Sequence, residues 1–393
     1  MIAEKNIKKL KVVLLAKWYP DRKDPQLGVF IQKHARCIAE TCDVTVFHAR
    51  SDDALTAGKI ESEVCISGGV IEHLWYYGPY KGILSPFNGL LYLQCWTRFK
   101  RVVRLSSEKP DLLHAYIMLR TGLLARFEAN RLNIPYVVSE QWSGYATGKF
   151  GNKPLWWRVV WRGVLKKAAG ISAVSSFLKE KMELYCKRLD IEVFYNVIES
   201  VSSNATSRTI DKPYILVVAD LVDEIKNISG VIKAYATVKP FMQLRIIGGG
   251  KDLYKLEKLC KELGLENDQV VFEGMQPNEV VYTRLYDCAF LVMNSRFETF
   301  SSVCAEALSC GKPVIATRCG GPQEFIGKEH GILIDPDNRQ QLENALEKMS
   351  TEFPKYDPME LNRYAMSKFG KSSIGLSYRK WYMALLEQAG KHH

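Results

Sequence analysis

The chain has 393 residues, 47% hydrophobic and 25% charged, an ordinary globular mixture too long for one hydrophobic core, so two domains are expected. No apolar run approaches the roughly 18–20 residues a membrane-spanning helix needs, which excludes an integral protein of that kind. The net charge of +11 is uneven: residues 1–200 carry 30 Lys and Arg against 19 Asp and Glu, the remainder 24 against 24. A polyanionic partner is therefore expected at the N-terminal half.

In "MIAEKNIKKLKVVLLAKWYP" the apolar run VVLLA ends at Lys17, too short for an export signal. The ten cysteines form no CxxC pair and read as reduced thiols, mostly core, which predicts a cytoplasmic location. "LKVVLLA" (10–16), "GVFIQKHARCIAE" (28–40) and "CDVTVFHA" (42–49) read as strand, helix and strand, a βαβ opening. Strands follow at 111–116, 136–140 and 170–175, with a helix at 121–132 between the first two. After a polar linker at 201–212 the pattern restarts: strands at 214–220, 243–250, 269–274, 289–295 and 331–336, and helices at 228–238, 252–264 and 278–288. Strands alternating with helices predict an α/β class with parallel sheets wound on both faces, twice over.

Residues 296–317, "RFETFSSVCAEALSCGKPVIAT", carry the functional signal. Ser301 and Ser302 are placed to cap a helix that Gly311 ends, before a further strand at "KPVIAT". Glu298 then lies in the loop at a strand's carboxyl end and Glu306 about a turn and a half into the helix. In doubly wound sheets that crevice takes nucleotides, and a helix start offers N–H groups to a phosphate. A diphosphate there accounts for the spacing, with one carboxylate for a sugar and the other for ribose hydroxyls.

"FETFSSVCAEALSCGKPVIATRCGG" resembles the E-x7-E signature of retaining glycosyltransferases of family four, whose GT-B architecture has two Rossmann-like domains facing a cleft. The likeness extends through "DPQLGVFIQKHARCIAE", with Gly28 at a close-approach position, through 110–141, and through "VFYNVIES" and "YILVVADLVDEIKNISGVIKAY". It implies a domain 1–200 on the acceptor side, a donor domain 201–370, and a terminal helix in 371–393 crossing back to the first. It also implies metal-independent transfer of a sugar from a nucleotide-diphosphate co-substrate, with no cofactor. By the same resemblance Lys226 and the backbone amides of Phe300, Ser301 and Ser302 meet the diphosphate. Glu298 meets the sugar, Glu306 the ribose, and Glu273 and Gly274 line the base pocket.

Two positions depart from the family pattern. Where relatives commonly have Arg after the first donor-domain strand, this chain has Asp220; Asp220 turning away from the phosphates, Asp220 pairing with Lys226, substitution by Arg245 or Lys251, and loss of catalysis are the alternatives. Where many relatives have Glu-His the chain reads "EQW", so Gln141 would approach the sugar as an amide that cannot titrate. His114, in "LLHAY", is a further candidate sugar or acceptor contact, whereas His34 reads equally as structural. "DPD" (335–337) reads as a turn and helix entry. No metal-ligand spacing is present.

"GKFGNKPLWWRVVWRGVLKKA" (148–168) joins Trp156, Trp157 and Trp161 to Arg158, Arg162, Lys166 and Lys167, and 90–104 repeats the chemistry; both read as amphipathic and suited to an anionic membrane surface. No nucleic-acid motif accompanies them. The expected protein is a peripheral glycosyltransferase building a surface polysaccharide or glycolipid on a saccharide or lipid-linked acceptor. The alternatives are a nucleotide-sugar epimerase and a non-catalytic sugar-nucleotide-binding protein.

Overall fold

A computed structural model of the chain describes residues 9–105, 107–186, 190–199 and 212–390; the linker read at 201–212 lies outside these except for Lys212. The chain forms two compact units. One holds the residues up to Val174, Leu178–Val197 and those from Lys371 onward; the other holds Ser175–Phe177 and Ile198–Gly370.

The first unit runs β1 (Leu10–Ala16), α1 (Val29–Ile38), β2 (Cys42–Ser51), β3 (Ile60–Ser67), β4 (Val70–Tyr77), α2 (Asn88–Val102), β5 (Leu112–Tyr116), α3 (Met118–Leu132), β6 (Tyr136–Glu140), α4 (Leu155–Lys167), β7 (Gly170–Ala173), α5 (Ser176–Cys186) and β8 (Ile191–Val193). Its eight strands lie in the order β3-β4-β2-β1-β5-β6-β7-β8. β1 pairs in parallel with both β2 and β5, and its residues from Val12 to Ala16 are buried on both faces, which is why it reads as an unbroken apolar run. The sheet is not wholly parallel, as the sequence had suggested: β3 pairs antiparallel with β4 across Gly68–Gly69, whose φ values of 57° and 82° suit a two-residue hairpin turn.

Strand alternation divides the core. Val12, Leu14 and Ala16 face α1 and the last helix, whose Ile374, Tyr378 and Tyr382 complete that cluster. Phe47, in register with Leu15, turns to the other face and meets Trp96 and Phe99 of α2. There α2, α3 and α4 lie side by side: Trp96 and Lys100 of α2 donate to Glu128 of α3, and Gly122 of α3 approaches Val164 of α4. Of the three tryptophans in 148–168, Trp161 is buried and Trp157 half-buried against it and Phe150, so only Trp156 of these three is exposed.

The second unit runs β9 (Tyr214–Val218), α6 (Asp223–Lys226), α7 (Ile228–Val238), β10 (Gln243–Ile247), α8 (Leu253–Glu262), β11 (Val270–Gly274), α9 (Asn278–Asp287), β12 (Phe290–Met293), α10 (Ser302–Ser309), β13 (Val314–Thr317), β14 (Gly331–Ile334), α11 (Arg339–Glu352) and α12 (Pro358–Phe369). Its sheet has the order β11-β10-β9-β12-β13-β14, parallel throughout. The order reverses between β9 and β12, so the chain continues from those two strands towards opposite sides of the sheet, and their carboxyl ends mark the place where such sheets take ligands. The last helix, α13 (Lys371–Gly390), belongs to the first unit.

Candidate active site

The loops that leave β9 and β12 meet at that reversal point. The first carries Asp220 and the single turn of α6, the second Asn294–Ser301. Arg296 fastens the two together: its backbone N–H donates to the Ile225 carbonyl (2.7 Å) and its guanidinium to the carbonyls of Asp223 (2.8 Å) and Glu224 (3.0 Å). A cation on the last carbonyls of a helical turn also matches the turn's dipole. The same guanidinium pairs with Asp337 at 2.7 Å, which uses the "DPD" stretch as a brace; Asn338 then caps α11 by accepting from the Gln341 N–H.

This brace places Lys226 so that its ammonium donates to Glu298 Oε1 at 2.7 Å, an oxygen that also accepts from the Ser295 hydroxyl at 2.8 Å. Burial alone would lower the Lys226 pKa, but Glu298 and, more weakly, Asp220 hold it above its ordinary value, so the group stays charged. The Glu298 backbone is clamped from both sides, its N–H to the Cys319 carbonyl (3.1 Å) and its C=O to the Gly321 N–H (3.0 Å). The clamp needs a bare backbone opposite: Gly320 has φ 124°, and a Cβ there would lie 2.4 Å from the Glu298 carbonyl oxygen. Both side chains are about one-fifth exposed (24% and 15%), open enough to meet a ligand.

α10 begins beside them. Ser301 stands at its N-cap in the left-handed region (φ 72°), a conformation uncommon outside glycine. The expected side-chain cap is not made there, because this backbone directs the Ser301 hydroxyl to Cys304 Sγ (3.3 Å). The other end closes as expected: the Gly311 N–H donates to Leu308 and the Lys312 N–H to Ala307, a Schellman pair with Gly311 at φ 74°. Phe300 is a core side chain against Phe325 and Phe369, so only its backbone can serve a ligand. Glu306 is half-buried against Tyr282 of α9, whose phenol is pushed up by burial and by that carboxylate.

Two family models match consecutive halves of the chain: "Glycosyl transferase 4-like domain" over residues 27–196 and "Glycosyl transferases group 1" over 202–365. The chain is a glycosyltransferase with the GT-B fold. It is 27% identical over 305 residues to an uncharacterized glycosyltransferase of Methanocaldococcus jannaschii, covering 77% of this chain and 83% of that one. It is 32% identical over 162 residues to the N-acetylgalactosamine-N,N'-diacetylbacillosaminyl-diphospho-undecaprenol 4-alpha-N-acetylgalactosaminyltransferase of Campylobacter jejuni, covering 40% of this chain and 44% of the relative. Among solved structures, HepE of Anabaena in complex with UDP superposes with a TM-score of 0.72 at 18% identity, covering 95% of this chain and all of that one.

The remaining expected site residues of this glycosyltransferase are spread over both units. In the second, Glu273 stands near the end of β11 with its carboxylate committed to Arg284 (2.8 Å) and Arg245 (3.3 Å), while Gly274 closes the strand at φ 68° with open space beside it. Arg245 is therefore occupied, by Glu273 and by the Tyr214 ring, and does not stand in for the cation missing at Asp220. In the first unit, Gly28 precedes α1 at φ 68°, and a Cβ would lie 2.5 Å from the Trp18 carbonyl carbon, so its close approach is to the chain's own backbone. Gln141 is half-buried just after β6.

His114 is a correction. It is fully buried, with Nδ1 on the Tyr382 hydroxyl (2.6 Å) and Nε2 on Ser139 (2.7 Å), so no ring nitrogen is left for a sugar. Strand alternation points it at α13, and burial pushes its pKa well down. His34 is likewise a core residue, bonded to Tyr116 and the Tyr195 carbonyl.

Sequence reasoning passed over two residues. Arg296 stands inside the signature stretch, but the four partners of its side chain lie 41 to 73 positions away. Glu140, next to Gln141, is 1% exposed; its Oε1 accepts from the Met118 N–H (2.8 Å) and the Tyr145 hydroxyl (3.2 Å), and burial pushes its pKa up to about 7.

Proposed function

We propose that this glycosyltransferase is a retaining, metal-independent hexosyltransferase that moves a sugar from a nucleotide-diphosphate donor to a saccharide or lipid-linked acceptor in surface polysaccharide or glycolipid synthesis, at the cytoplasmic face of a membrane. The observation that carries the reading is the Lys226–Glu298 pair, locked at the reversal point of a parallel sheet beside the start of α10.

Breaking the bond to the anomeric carbon leaves positive charge on the sugar ring and negative charge on the departing diphosphate. Lys226, with the backbone amides of Phe300, Ser301 and Ser302, is positioned to receive the diphosphate; a fixed ammonium and a helix start stabilise that charge without reorganising. Glu298 accepts hydrogen bonds from sugar hydroxyls and keeps Lys226 in place until the donor arrives. Glu306 serves the ribose, and the backbone at Glu273 and Gly274 borders the base. Asp220 lowers the positive potential next to Lys226, so more of the diphosphate's binding falls to the α10 amides. Gln141 is the candidate partner for an acceptor-side hydroxyl. Related proteins agree in kind: one acts on a diphospho-undecaprenol saccharide, and another is seen in complex with UDP.

Incubation with a panel of labelled nucleotide sugars, with and without saccharide acceptors, tests the reading. Nucleotide release that depends on acceptor, with the anomeric configuration kept, is expected. Inversion of the configuration removes the retaining assignment, an isomerised donor means epimerisation, and binding without turnover means a sensor. Glu306→Ala should raise the donor KM about tenfold while kcat changes little.

A further inference from the structure

We propose that the outer face of α2, α3 and α4, with the turn at Gly82–Phe87, is the seat of an anionic phospholipid bilayer. A helix packed on a sheet normally presents polar groups to solvent. Here the turn before α2 exposes Ile83 (94%), Leu84 and Phe87, and α2 continues the stripe with Leu90 and Leu93, although its other face already buries Leu91, Tyr92, Cys95, Trp96 and Phe99. On α3 Phe127 is 65% exposed, and on α4 Leu155, Trp156 (69%) and Val159 are exposed while Trp161, Val164 and Leu165 are buried. Because α3 touches both neighbours, these groups stand on three adjoining helices of one sheet face.

The charge on that surface selects the occupant. Segments 81–104, 118–132 and 148–168 together contain fourteen Lys and Arg and a single carboxylate. That carboxylate, Glu128, is 1% exposed and held between Lys100 and Arg131, so the face shows one sign of charge. Apolar side chains with a tryptophan, surrounded only by cations, suit the boundary between acyl chains and anionic headgroups.

The polarity along the helices adds a direction. Connecting helices of a parallel sheet run opposite to its strands, so the turn at 82–87 and the first turns of α2 and α4 lie at the sheet's carboxyl edge. Ile83, Phe87, Leu90 and Trp156 gather at that end, and Arg98, Arg101, Lys166 and Lys167 at the other. Substrate crevices of such sheets open at the carboxyl edge. A lipid-linked acceptor could therefore be handed over without leaving the bilayer, a benefit that rests on the proposed function, whereas the binding itself does not.

The test is sedimentation of the full chain with phosphatidylcholine vesicles, with and without about 30 mol% phosphatidylglycerol. Binding to the anionic vesicles is expected to be at least about tenfold tighter and to weaken with salt. The double variant Phe87→Glu, Trp156→Glu should lose about tenfold or more and keep its melting temperature, since both side chains are exposed. Quenching of tryptophan fluorescence by brominated lipid should disappear in Trp156→Phe while that variant still binds. Indifference to phosphatidylglycerol would overturn the proposal, as would a wild-type dimer that the double variant dissociates with no lipid bound. A chain that binds vesicles but transfers no sugar sinks the functional reading and leaves this surface standing; transfer without vesicle binding does the reverse.

Discussion

Each unit has a glutamate at the carboxyl edge of its sheet, and the two have opposite surroundings. Glu140, the last residue of β6, is 1% exposed, is held by a backbone N–H and a phenol, has no cation within bonding distance among the described residues, and has its pKa pushed up to about 7 by burial. Glu298, in the loop after β12, is 15% exposed and shares one oxygen between the Lys226 ammonium and the Ser295 hydroxyl. One acid is sealed inside the unit and ties loops together through a single oxygen. The other is poised beside a cation, partly exposed where a ligand can reach it. Position at the sheet edge is therefore permissive, and the neighbours decide whether an acid holds structure or meets substrate.

Removing the cation should have the largest effect. Lys226→Ala is expected to lower kcat by about 10²–10³-fold in a donor-saturated transfer assay, with a melting temperature near that of the parent. If KM alone changes, the ammonium binds the ground state and the contrast with Glu140 loses its catalytic half.

Glu140 should register in stability instead. The folded chain keeps its proton up to about pH 7, whereas the unfolded chain gives it up near the ordinary value of 4.5. The folded state thus binds the extra proton between those values, and stability falls as pH rises through that window. Glu140→Gln should flatten this fall by about 1–3 kcal/mol in denaturant titrations at pH 5 and 8, leaving the pH dependence of kcat unchanged. A variant with the parent's slope would mean that the carboxylate is already ionised.

The smallest expected effect separates the second donors. Tyr145→Phe removes a bond to Glu140 and should cost about 1 kcal/mol of stability, because a buried acceptor loses one of its partners. Ser295→Ala removes the matching bond to Glu298 and should cost only a few-fold in kcat, measured in the same transfer assay, since Lys226 still holds the oxygen.

Much of the fold was legible because its signals are local. β9 is an unbroken apolar run and β1, β5 and β6 are largely apolar, as strands buried on both faces must be, and Gly311 ends α10 where the periodicity stops. The β3–β4 hairpin escaped although Gly68–Gly69 marks its turn, since β3 is an exposed edge strand whose side chains show little inward pattern. The site was legible in part. Glu298 and Glu306 stand in a spaced motif, but the Ser301 cap failed on a φ value that sequence does not display. His114 and Trp161 were misjudged for one shared reason: residue type announces what a side chain could contact, while strand and helix phase decide which way it points. Glu140 was hidden in plain view, its partner Met118 lying 22 residues upstream.

The core of the first unit draws on Val12 and Leu14 near one end of the sequence and on Ile374, Tyr378 and Tyr382 near the other, while the second unit occupies the stretch between. During synthesis the ribosome therefore releases everything the later unit needs before the earlier one is complete. The N-terminal sheet must wait with an apolar flank uncovered until the residues beyond Lys371 emerge, which makes that interval the moment when a chaperone has most to shield.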